Sequence, residues 1–578
     1  MVRTTIACAR CRSSKVKCIH DGAPPCRGCV RAGKTEPGLC ILSRPEVKKS
    51  GSQSLRAPRQ SYRSRGDGTR EAVAAPPASP PSPRQTRSPS DVLQTATLFM
   101  HKFPELGFLH KPTFSRDLKK ARGSPAQSGA ELLGAALTAL CSPLTQSQRI
   151  QPGDQISLSE PPHLYAVQCL LVKSMVEWGQ GNVHLAWMYS GAAIRMMQFL
   201  NTAAAKSPSD GLMLEIHNRT LWSCFIMDRL VFSGVHQPLC LPLDSLGTHW
   251  PVSEADYAFG HAGVMHYPVS EPFPMTMNNS YAILVQGFDL WTQAHHWVVS
   301  GGRRRKDMLL EANHPWKETS LWMKMRSQLQ GWREAQDPRL LYPTNPASIC
   351  ASLGKGEIFG YINLIYYVSI LFLNREYIPF LPKTAATPSG PVDPPLLPAS
   401  SPEGWWETRA QELFGAASYI TNILADLSDE GAALDTPFAA FCNFSAATMN
   451  VYVSCFPSMN LDRSSDMAGI LEKNLAYLDR IRGIWPIGQG WWTTIERTRA
   501  LYGRHSRDPH KYCGKTRDDF ISLEASMHDV TGASPTTLAE QEQERSQDTI
   551  ESTVDELNAP VESPSHALDA FPPHPFQL

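Results

Sequence analysis

Six cysteines lie within the first forty residues, and mostly basic and polar residues surround them. Their spacing is C-x2-C-x6-C, seven residues, and then C-x2-C-x10-C, formed by Cys8, Cys11, Cys18, Cys26, Cys29 and Cys40. Six thiolates can give each of two zinc ions four sulfur ligands if two sulfurs bridge the ions, because structural zinc prefers tetrahedral thiolate coordination. About forty residues cannot bury enough apolar surface to fold unaided. The spacing therefore predicts a binuclear zinc site that supplies the folding free energy of this segment.

Other cysteine chemistries fit this pattern less well. Disulfide bonds require an oxidising compartment, and residues 1–7 contain no apolar run typical of a signal peptide. A thioredoxin-like redox site uses one C-x-x-C beside a strand-helix pattern, and RING or LIM modules need eight ligands. Zinc ligation is thus the interpretation that accounts for all six cysteines.

The residues between Cys11 and Cys18 are basic, and they include Arg12, Lys15 and Lys17. One or two helical turns would direct these cations away from the metal-binding face. Lysine and arginine donors can reach guanine O6 and N7 in the major groove, and they also bind phosphates. The segment therefore predicts a DNA-reading helix.

Charge is distributed unevenly along the chain. The whole chain carries a formal charge of only +1, but residues 1–70 contain 16 Lys/Arg and four Asp/Glu. A positive segment of this kind is the electrostatic footprint of a module that binds a polyanion.

At these residues the chain resembles the fungal zinc-binuclear-cluster (Zn2Cys6) transcription regulators, through the string CARCRSSKVKC…PPCRGCVRAGKTEPGLC. The resemblance implies that Cys8 and Cys26 bridge two zinc ions and that the helix after the second cysteine reads a CGG-type triplet. Lys15 matches one of the two base-reading positions and Ser14 replaces the other, whereas Arg12 and Lys17 match phosphate-binding positions. The last gap of ten residues is longer than in most of the family. The candidate DNA contacts are Arg10, Arg12, Ser14, Lys15 and Lys17.

The rest of the chain is predicted to form a large all-α regulatory domain, joined to the small metal-stabilised Zn2Cys6 module by a disordered basic linker rich in Pro and Ser. The predicted segments are a module (1–44), the linker (45–95), a first helical part (96–382), a Pro-rich loop (383–403), a second helical part (404–502) and a disordered acidic tail (503–578). The apolar run from Tyr361 to Leu373 is interrupted by Asn363 and Ser369, which favours a buried helix over a membrane span.

Apolar periodicity supports the helical prediction. An apolar residue recurs every three or four positions from Leu185 to Leu200, at Leu185, Met188, Tyr189, Ala192, Ala193, Met196, Phe199 and Leu200. This spacing predicts one apolar stripe on a helix. Trp187, Ile194 and Met197 add apolar surface on other faces, which predicts a helix that is buried on more than one side. Tyr165 to Trp178 and His217 to Val231 are further predicted helices, and helical patterning resumes at Trp405 after the Pro-rich loop.

The resemblance extends into this helical region. The segments KFPELGFLHKPTF, WGQGNVHLAWMYSGAAIRMMQFL and RTLWSCFIMDRLVFSGVHQP look like parts of the fungal transcription-factor regulatory domain, also called the middle homology region. LFLNREYIPFLP and TPFAAFCNFSAATMNVYVSCFP resemble its later helices. The resemblance implies that this domain regulates activity and that it senses a metabolite in some members.

The tail and the remaining motifs carry weaker signals. Residues 518–578 hold 13 Asp/Glu and one cation among scattered large apolar residues, a composition that suits either an activation segment that docks on a coactivator or a solvating tail. The basic run from Arg303 to Lys306 suits a nuclear localisation signal or a solvated loop. Asp228 and Arg229 are predicted to form a structural charge pair, and the adjacent His295 and His296 point too far apart on a helix to chelate a metal.

No catalytic motif emerges from the sequence, so no enzymatic activity is predicted. The main hypothesis is a nuclear, zinc-dependent, sequence-specific regulator of RNA polymerase II genes that binds double-stranded promoter DNA. The resemblance implies a pathway-specific regulator of a metabolic or secondary-metabolite gene set, and the sequence leaves activation and repression open. The alternative is a zinc-dependent protein-interaction scaffold whose cations bind acidic partners. No apolar heptads follow the cysteines, which leaves homodimer formation open.

Overall fold

The computed structural model divides the chain into two compact units, Met1–Arg84 and Gln85–Leu578. The residues that the structure describes are 7–8, 26–31, 40, 42–43, 88–121, 128–145, 161–204, 211–231, 238–261, 266–382, 387–397, 400–463, 466–512 and 515–532.

The first unit contains one short helix and one short antiparallel strand pair among its described residues. Helix α1 is Arg27–Arg31, strand β1 is Ala7–Cys8 and strand β2 is Leu42–Ser43. Ala7 pairs with Ser43 and Cys8 pairs with Leu42. The strand pair therefore brings the start and the end of the predicted 1–44 module together.

The second unit is helical, as the sequence predicts. Its helices are α2 (Pro89–Lys102), α3 (Lys111–Ala121), α4 (Gly129–Cys141), α5 (Leu164–Gly179), α6 (Val183–Ala204), α7 (Gly211–Leu230), α8 (Glu254–Phe259), α9 (Ser280–Val299), α10 (Leu321–Glu334), α11 (Ala347–Ser352), α12 (Gly356–Arg375), α13 (Trp405–Asp429), α14 (Pro437–Cys455), α15 (Met467–Ile484), α16 (Ile487–Arg507) and α17 (Ile521–His528). Short 3-10 turns lie between several of them. Among its described residues, the extended pairing is one isolated bridge between His249 and Pro268.

Two helices form the centre of this unit. Helix α12 packs against α9, α10, α13 and α14, and α14 packs against α13, α15 and α16. Helix α12 is long and apolar enough to cross a membrane, but 89% of its most apolar window is buried inside the protein. A core helix passes the same composition test, so the prediction of a buried helix over Tyr361–Leu373 is confirmed.

Helix α2 begins inside the segment that the sequence assigns to the linker. The predicted linker ends at residue 95, but α2 starts at Pro89. The Ser88 hydroxyl caps the helix by accepting a hydrogen bond from the Asp91 N–H at 3.3 Å, and Pro89 has the backbone φ that a first helical turn requires. Residues 45–87 of the predicted linker lie outside the described residues.

The predicted apolar stripe on α6 is buried only in part, through Ala193 and Met196. Helix α6 also buries the small residues Ala186 and Ser190, and the burial of Ile194 and Met197 confirms that the helix is covered on more than one side. Met188 and Phe199, which belong to the predicted stripe, are each 60% exposed. The buried face is rotated toward the small residues because these let α5 and α7 approach α6 closely. Size complementarity, which a count of apolar residues does not capture, decides the orientation of this helix.

The helical unit also extends beyond residue 502, where the sequence places the start of a disordered acidic tail. Helix α16 continues to Arg507, and α17 packs against α16 and α14. Met527 and Val530 are 2% and 1% exposed. The Trp178 indole N–H donates to the Val530 carbonyl oxygen at 3.0 Å, which attaches this segment to α5.

Acidic residues of this segment make hydrogen bonds and ion pairs within the helical unit. Thr516 and Asp519 form a capping box at the turn that precedes α17. Glu524 pairs with Arg517, and its carboxylate accepts from His528 Nε2 at 2.9 Å. The rest of the predicted tail, residues 533–578, lies outside the described residues.

The Pro-rich segment is irregular at its described residues 387–397, and helical structure resumes at Trp405 as the sequence predicts. This segment contributes Asp393, which accepts hydrogen bonds from Arg303 and Arg304 at 2.8 Å each. The Arg303 side chain is 2% exposed and also donates to the Glu376 carbonyl oxygen at 2.7 Å. Both sequence interpretations of the 303–306 run are therefore wrong for Arg303, since a buried arginine serves neither as a localisation signal nor as a solvated loop residue.

Candidate metal centre

Three of the six predicted zinc ligands converge in the first unit. The sulfur atoms of Cys26, Cys29 and Cys40 lie within 4.8 Å of one another. All three side chains are buried, with exposed fractions of 0%, 0% and 3%. Among the residues that the structure describes, this is the one group of three or more His, Cys, Asp or Glu side chains with a geometry suited to a metal ion.

Helix α1 and the loop that follows it position these sulfurs. The N–H groups of Cys29 and Val30 donate to the Cys26 carbonyl oxygen at 2.9 and 3.0 Å, so the helix begins immediately after Cys26. This first turn brings Cys29 back beside Cys26, as a C-x2-C spacing requires. The Cys26 N–H points at the Cys40 sulfur at 3.3 Å, which ties the distant cysteine to the same turn.

The strand pair supports Cys40 as the sixth ligand. Cys8 pairs with Leu42, two residues after Cys40, so the backbones of the first and last predicted ligands lie close together. The gap of ten residues before Cys40 therefore does not remove it from the cluster. Cys11, Cys18 and the candidate DNA contacts Arg10, Arg12, Ser14, Lys15 and Lys17 lie outside the described residues, and Cys8 is described by its backbone.

The donor set fits zinc. Three buried thiol groups whose sulfurs lie within 4.8 Å of one another, in a segment whose described residues offer almost no apolar core, suit a thiolate-bound metal. A positively charged environment favours the thiolate form that ligation needs, and Arg27 and Arg31 lie on the same short helix as Cys29.

The cysteines of the helical unit have a different chemistry. Cys141 and Cys169 are each 2% exposed, and burial raises the pKa of both thiols to about 12. Cys224 and Cys442 are fully buried, and burial raises their thiol pKa as well. These thiols stay protonated and serve as apolar core groups, as predicted. Cys240 differs from the prediction because its side chain is exposed.

A buried ionic cluster surrounds Arg219, which sequence reasoning did not single out. Its guanidinium donates to Glu215 and Glu254 at 3.1 Å each and stacks over the Tyr257 ring at 4.0 Å. Burial disfavours its charge, but the two carboxylates outweigh that penalty, so the pKa of Arg219 is raised. The cluster joins α7 to α8, and its signal in the sequence is the charged pair Glu215 and Arg219 spaced four residues apart within an apolar helix.

Asp228 and Arg229, which the sequence predicts to form a structural charge pair, make hydrogen bonds within the fold. Asp228 accepts from the N–H groups of Cys240 and Leu241 at 2.8 and 2.9 Å. Arg229 instead donates to Asp289 at 2.8 Å. The structural role is confirmed, but the two residues bind different partners.

His295 is fully buried, and burial lowers its pKa to about 3, so the imidazole is neutral. Its ring stacks on Trp291 at a centroid distance of 4.9 Å. The ring therefore belongs to the aromatic core of the helical unit.

Glu105 is a further buried acid that the sequence analysis did not identify. Its carboxylate accepts from the Tyr361 hydroxyl at 2.8 Å, and that hydroxyl contacts the Thr436 hydroxyl at 2.5 Å. Burial raises the pKa of Glu105 to about 8. The group links three segments that lie far apart in the sequence, so no local pattern indicates it.

Comparison with known proteins gives a family match for part of the helical unit. Residues 97–281, from α2 to the start of α9, match the fungal specific transcription factor domain. The match covers three of the quoted segments, KFPELGFLHKPTF (102–114), WGQGNVHLAWMYSGAAIRMMQFL (178–200) and RTLWSCFIMDRLVFSGVHQP (219–238). The segments LFLNREYIPFLP (371–382) and TPFAAFCNFSAATMNVYVSCFP (436–457) lie outside it.

Several curated relatives are fungal regulators. The Zn(2)-C6 fungal-type transcription factor FTF1c of Fusarium oxysporum f. sp. lycopersici is 24% identical over 430 residues, which cover 68% of this chain and 43% of the relative. Two uncharacterized transcriptional regulatory proteins of Schizosaccharomyces pombe, PB1A11.04c and C1327.01c, are 20% identical over 370 residues and 27% identical over 240 residues. These matches cover 58% and 37% of this chain, and 52% and 24% of the respective relatives.

This chain spans about two fifths of the length of the FTF1c relative that it matches. No solved structure matches the chain. The names of these relatives are those of transcription factors or transcriptional regulatory proteins. Over residues 97–281 the chain is therefore similar to the fungal specific transcription factor domain, and over about two thirds of its length it is similar to proteins named as Zn(2)-C6 fungal-type transcription factors.

Proposed function

We propose that the chain is a zinc-dependent transcription factor that binds specific sequences of double-stranded promoter DNA in the nucleus and controls RNA polymerase II genes. The observation that carries the proposal is the convergence of the Cys26, Cys29 and Cys40 sulfurs within 4.8 Å. A cluster of buried cysteines in a segment with little apolar core is the arrangement expected of a metal-stabilised module.

The metal centre would hold two zinc ions. Cys8, Cys11, Cys18, Cys26, Cys29 and Cys40 are the ligands, with Cys8 and Cys26 as the bridging pair. Bound zinc supplies on the order of 10–16 kcal/mol per ion, which replaces the apolar core as the source of folding free energy. The pairing of Cys8 with Leu42 supports a single closed module, because it places the first ligand next to the segment of the last.

The cations after Cys11 would contact the duplex. Lys15 would donate to a guanine edge in the major groove, and Arg12 and Lys17 would bind phosphates. Ser14 would occupy the second base-reading position, and Arg10 would be a further contact. Because Ser14 lacks a positive charge, discrimination at one position of a CGG-type triplet is reduced. The excess of basic residues over residues 1–70 adds affinity that does not depend on sequence.

The helical unit would control this DNA-binding activity. Its polar clusters are internal ionic and hydrogen-bonded groups, such as the Arg219 cluster, which supports a regulatory rather than a catalytic role. Residues 533–578 are proposed as the activation segment that recruits a coactivator. The proposed targets are a metabolic or secondary-metabolite gene set, as the family resemblance implies.

Metal analysis and DNA binding on the full chain test this proposal. Zinc content near two ions per chain is expected, together with binding to selected duplexes that is lost on chelation and restored by zinc. Log affinity should fall linearly with log salt concentration, and single base-pair changes should each cost about 1–3 kcal/mol.

Two results would contradict the proposal. Promoter affinity that survives removal of zinc would refute the metal dependence. Salt-dependent binding without sequence discrimination would instead support the protein-interaction scaffold.

A further inference from the structure

An open apolar groove of about 770 Å³ lies on the surface of the helical unit, between α14, α15 and α16. The apolar side chains that line it are Val453, Cys455, Met467, Leu471, Leu475 and Trp492. Ala468, Ala476 and Gly503 also line it, and small residues at these positions keep it open. Exposed apolar concavities of this size mark a binding surface more often than a chance feature.

A buried polar network fixes the wall that α15 contributes. The Asn474 side chain donates to Asn443 at 2.7 Å and to Thr421 at 2.9 Å, and it accepts from Asn450 at 2.7 Å. These bonds tie α15 to α13 and α14, and all four residues are buried. The groove is therefore preformed and does not require closure of a loose helix.

The two long walls of the groove differ in charge. Helix α16 contains four arginines and one acid, and Arg499 on this helix lines the groove. The α15 wall carries Glu472 and Asp479, of which Asp479 already accepts from Arg482 at 2.9 Å. An acidic amphipathic occupant would therefore direct its carboxylates toward α16.

A segment of this chain has the matching pattern. Apolar residues recur at helical spacing as Ile550, Val554 and Leu557. The same segment contains the acids Asp548, Glu551, Asp555 and Glu556 and no Lys or Arg. Asp548 followed by Glu551 is a helix-start signal, and Pro560 is a stop signal. The segment 548–559 thus has the sequence of a short amphipathic helix with an acidic face.

The described part of the chain ends against the helix that forms one wall of this groove. Gly532 lies against the first turn of α16, near Ile487 and Gly490. The groove begins at Trp492 on the same helix and extends to Gly503, a length of about 17 Å at 1.5 Å per residue. The 17 residues between Gly532 and Ile550 can extend about 55 Å, so the segment reaches the groove without strain.

We propose that residues 548–559 dock as an amphipathic helix in the groove between α14, α15 and α16 of the same chain, with Val554 and Leu557 against the apolar lining and the acids toward Arg499. In this state the apolar residues that a coactivator would contact are covered. Docking would hold the tail inactive until a partner with higher affinity displaces it. The contact does not depend on zinc or on DNA binding.

Hydrogen exchange measured by mass spectrometry on the full chain tests the docking. In the unmodified protein, the amides of residues 550–557 should exchange at least about tenfold more slowly than those of an unstructured peptide. Arg499→Glu, which reverses a charge that lines the groove, should abolish this protection. Arg497→Glu is the matched control: it makes the same change at an exposed position of the same helix that does not line the groove, and it should leave the protection intact.

Alkylation of Cys455, which lines the groove, gives an independent readout. Leu557 does not belong to the packed helices, so Leu557→Asp should not disturb their folding. The substitution should raise the alkylation rate of Cys455 by about tenfold, because the release of a docked segment exposes that thiol. The exposed Cys240 should react at the same rate in both proteins.

Three results would overturn the proposal. The first is a tail segment without protection in the unmodified chain, and the second is protection that Arg499→Glu leaves unchanged. The third is protection that disappears on dilution, which would place the segment of one chain in the groove of a second copy. Loss of DNA binding without change in these readouts would affect the proposed function but not the docking.

Discussion

Most of the cysteines whose side chains the structure describes lie in one of two kinds of surroundings. In the helical unit, apolar neighbours enclose thiols such as Cys141 and Cys169 one at a time, and burial raises their pKa to about 12. In the first unit, three sulfurs share one buried site beside a short basic helix. The same residue type is therefore an inert core group in one place and a candidate metal ligand in the other, because ligation needs several thiolates together.

Cys40→Ala tests the sixth ligand. We expect the zinc content of the full chain to fall and specific DNA affinity to drop to the non-specific level, a loss of about 10³-fold or more, because the module loses its folding free energy. Metal analysis and fluorescence anisotropy with a labelled duplex measure both effects. The control is Cys240→Ala, which removes an exposed cysteine outside the cluster. Unchanged zinc content in Cys40→Ala would exclude Cys40 as a ligand.

Lys15→Ala and Lys17→Ala separate base reading from phosphate binding. Lys15→Ala should cost about 1–3 kcal/mol on the preferred site and relax the preference at one base position. Lys17→Ala should weaken binding to all duplexes alike and lower the slope of log affinity against log salt by about one. Titrations against a set of single-base variants at several salt concentrations distinguish the two. Equal effects of both substitutions on every duplex would refute this division of roles.

At the scale of elements, short capping signals and tertiary contacts set the helix boundaries. Ser88, Pro89 and Asp91 start α2 within a stretch whose composition otherwise resembles a linker. Helix α17 has weak amphipathic character of its own and is held by contacts from other helices. The indole N–H groups of Trp178 and Trp491 donate to the carbonyl oxygens of Val530 and Asp529 at 3.0 and 3.2 Å. Two tryptophans thus fix the end of the described chain.

Trp178→Phe should loosen this attachment. The change removes a buried hydrogen bond and leaves space beside Val530, at a cost of about 1–3 kcal/mol. Hydrogen exchange of residues 526–532 should become several-fold faster, while α12 remains protected. Trp187→Phe is the control, because Trp187 is 44% exposed. If both substitutions have the same effect on residues 526–532, the indole of Trp178 does not hold the segment.

At the scale of the whole molecule, buried polar groups connect helices that are distant in the sequence. Glu105, Tyr361 and Thr436 meet through hydrogen bonds of 2.8 and 2.5 Å, and they join the turn after α2 to α12 and to the start of α14. Arg303 joins the turn after α9 to the Pro-rich segment through Asp393. Such groups specify one packing arrangement because an unpaired polar group in the core is costly.

The Glu105 carboxyl should make the stability of the helical unit depend on pH. Burial raises its pKa from 4.5 to about 8, so the folded chain holds a proton that the unfolded chain releases between these values. The free energy of unfolding therefore falls as pH rises from about 4.5 to 8 and levels off above that range, by at most about 4–5 kcal/mol from this group. Below pH 4.5 both states are protonated, and the contribution is complete.

Glu105→Gln tests this effect because the amide stays neutral at every pH. The melting temperature of the unmodified chain should fall relative to that of Glu105→Gln by a few degrees between pH 5 and pH 8, as measured by differential scanning fluorimetry. Glu376, whose pKa burial raises to about 7, contributes to both proteins alike, so the difference between them isolates Glu105. The exposed Glu430→Gln is the control. Parallel pH profiles for Glu105→Gln and the unmodified chain would refute the assignment.

The sequence alone determined the features that follow from local spacing and composition. The cysteine spacing indicates a metal centre, and three of the six predicted ligands meet as expected. The apolar run at Tyr361–Leu373 becomes the buried helix α12, and α13 starts at the predicted Trp405. These features are encoded by neighbours in the chain, because ligand geometry, apolar periodicity and proline all act over a few residues.

The tertiary structure alone decided which face of each helix is buried and which charges are internal. Met188 and Phe199 continue an apolar stripe, yet they are exposed because α5 and α7 pack on the small residues of α6. Arg303 lies in a basic run, yet it is buried because Asp393, ninety residues away, neutralises it. The acids near α17 belong to the fold because Trp178 and Trp491 bind the backbone beside them. Each outcome depends on a partner that is remote in the sequence, and no local pattern specifies such a partner.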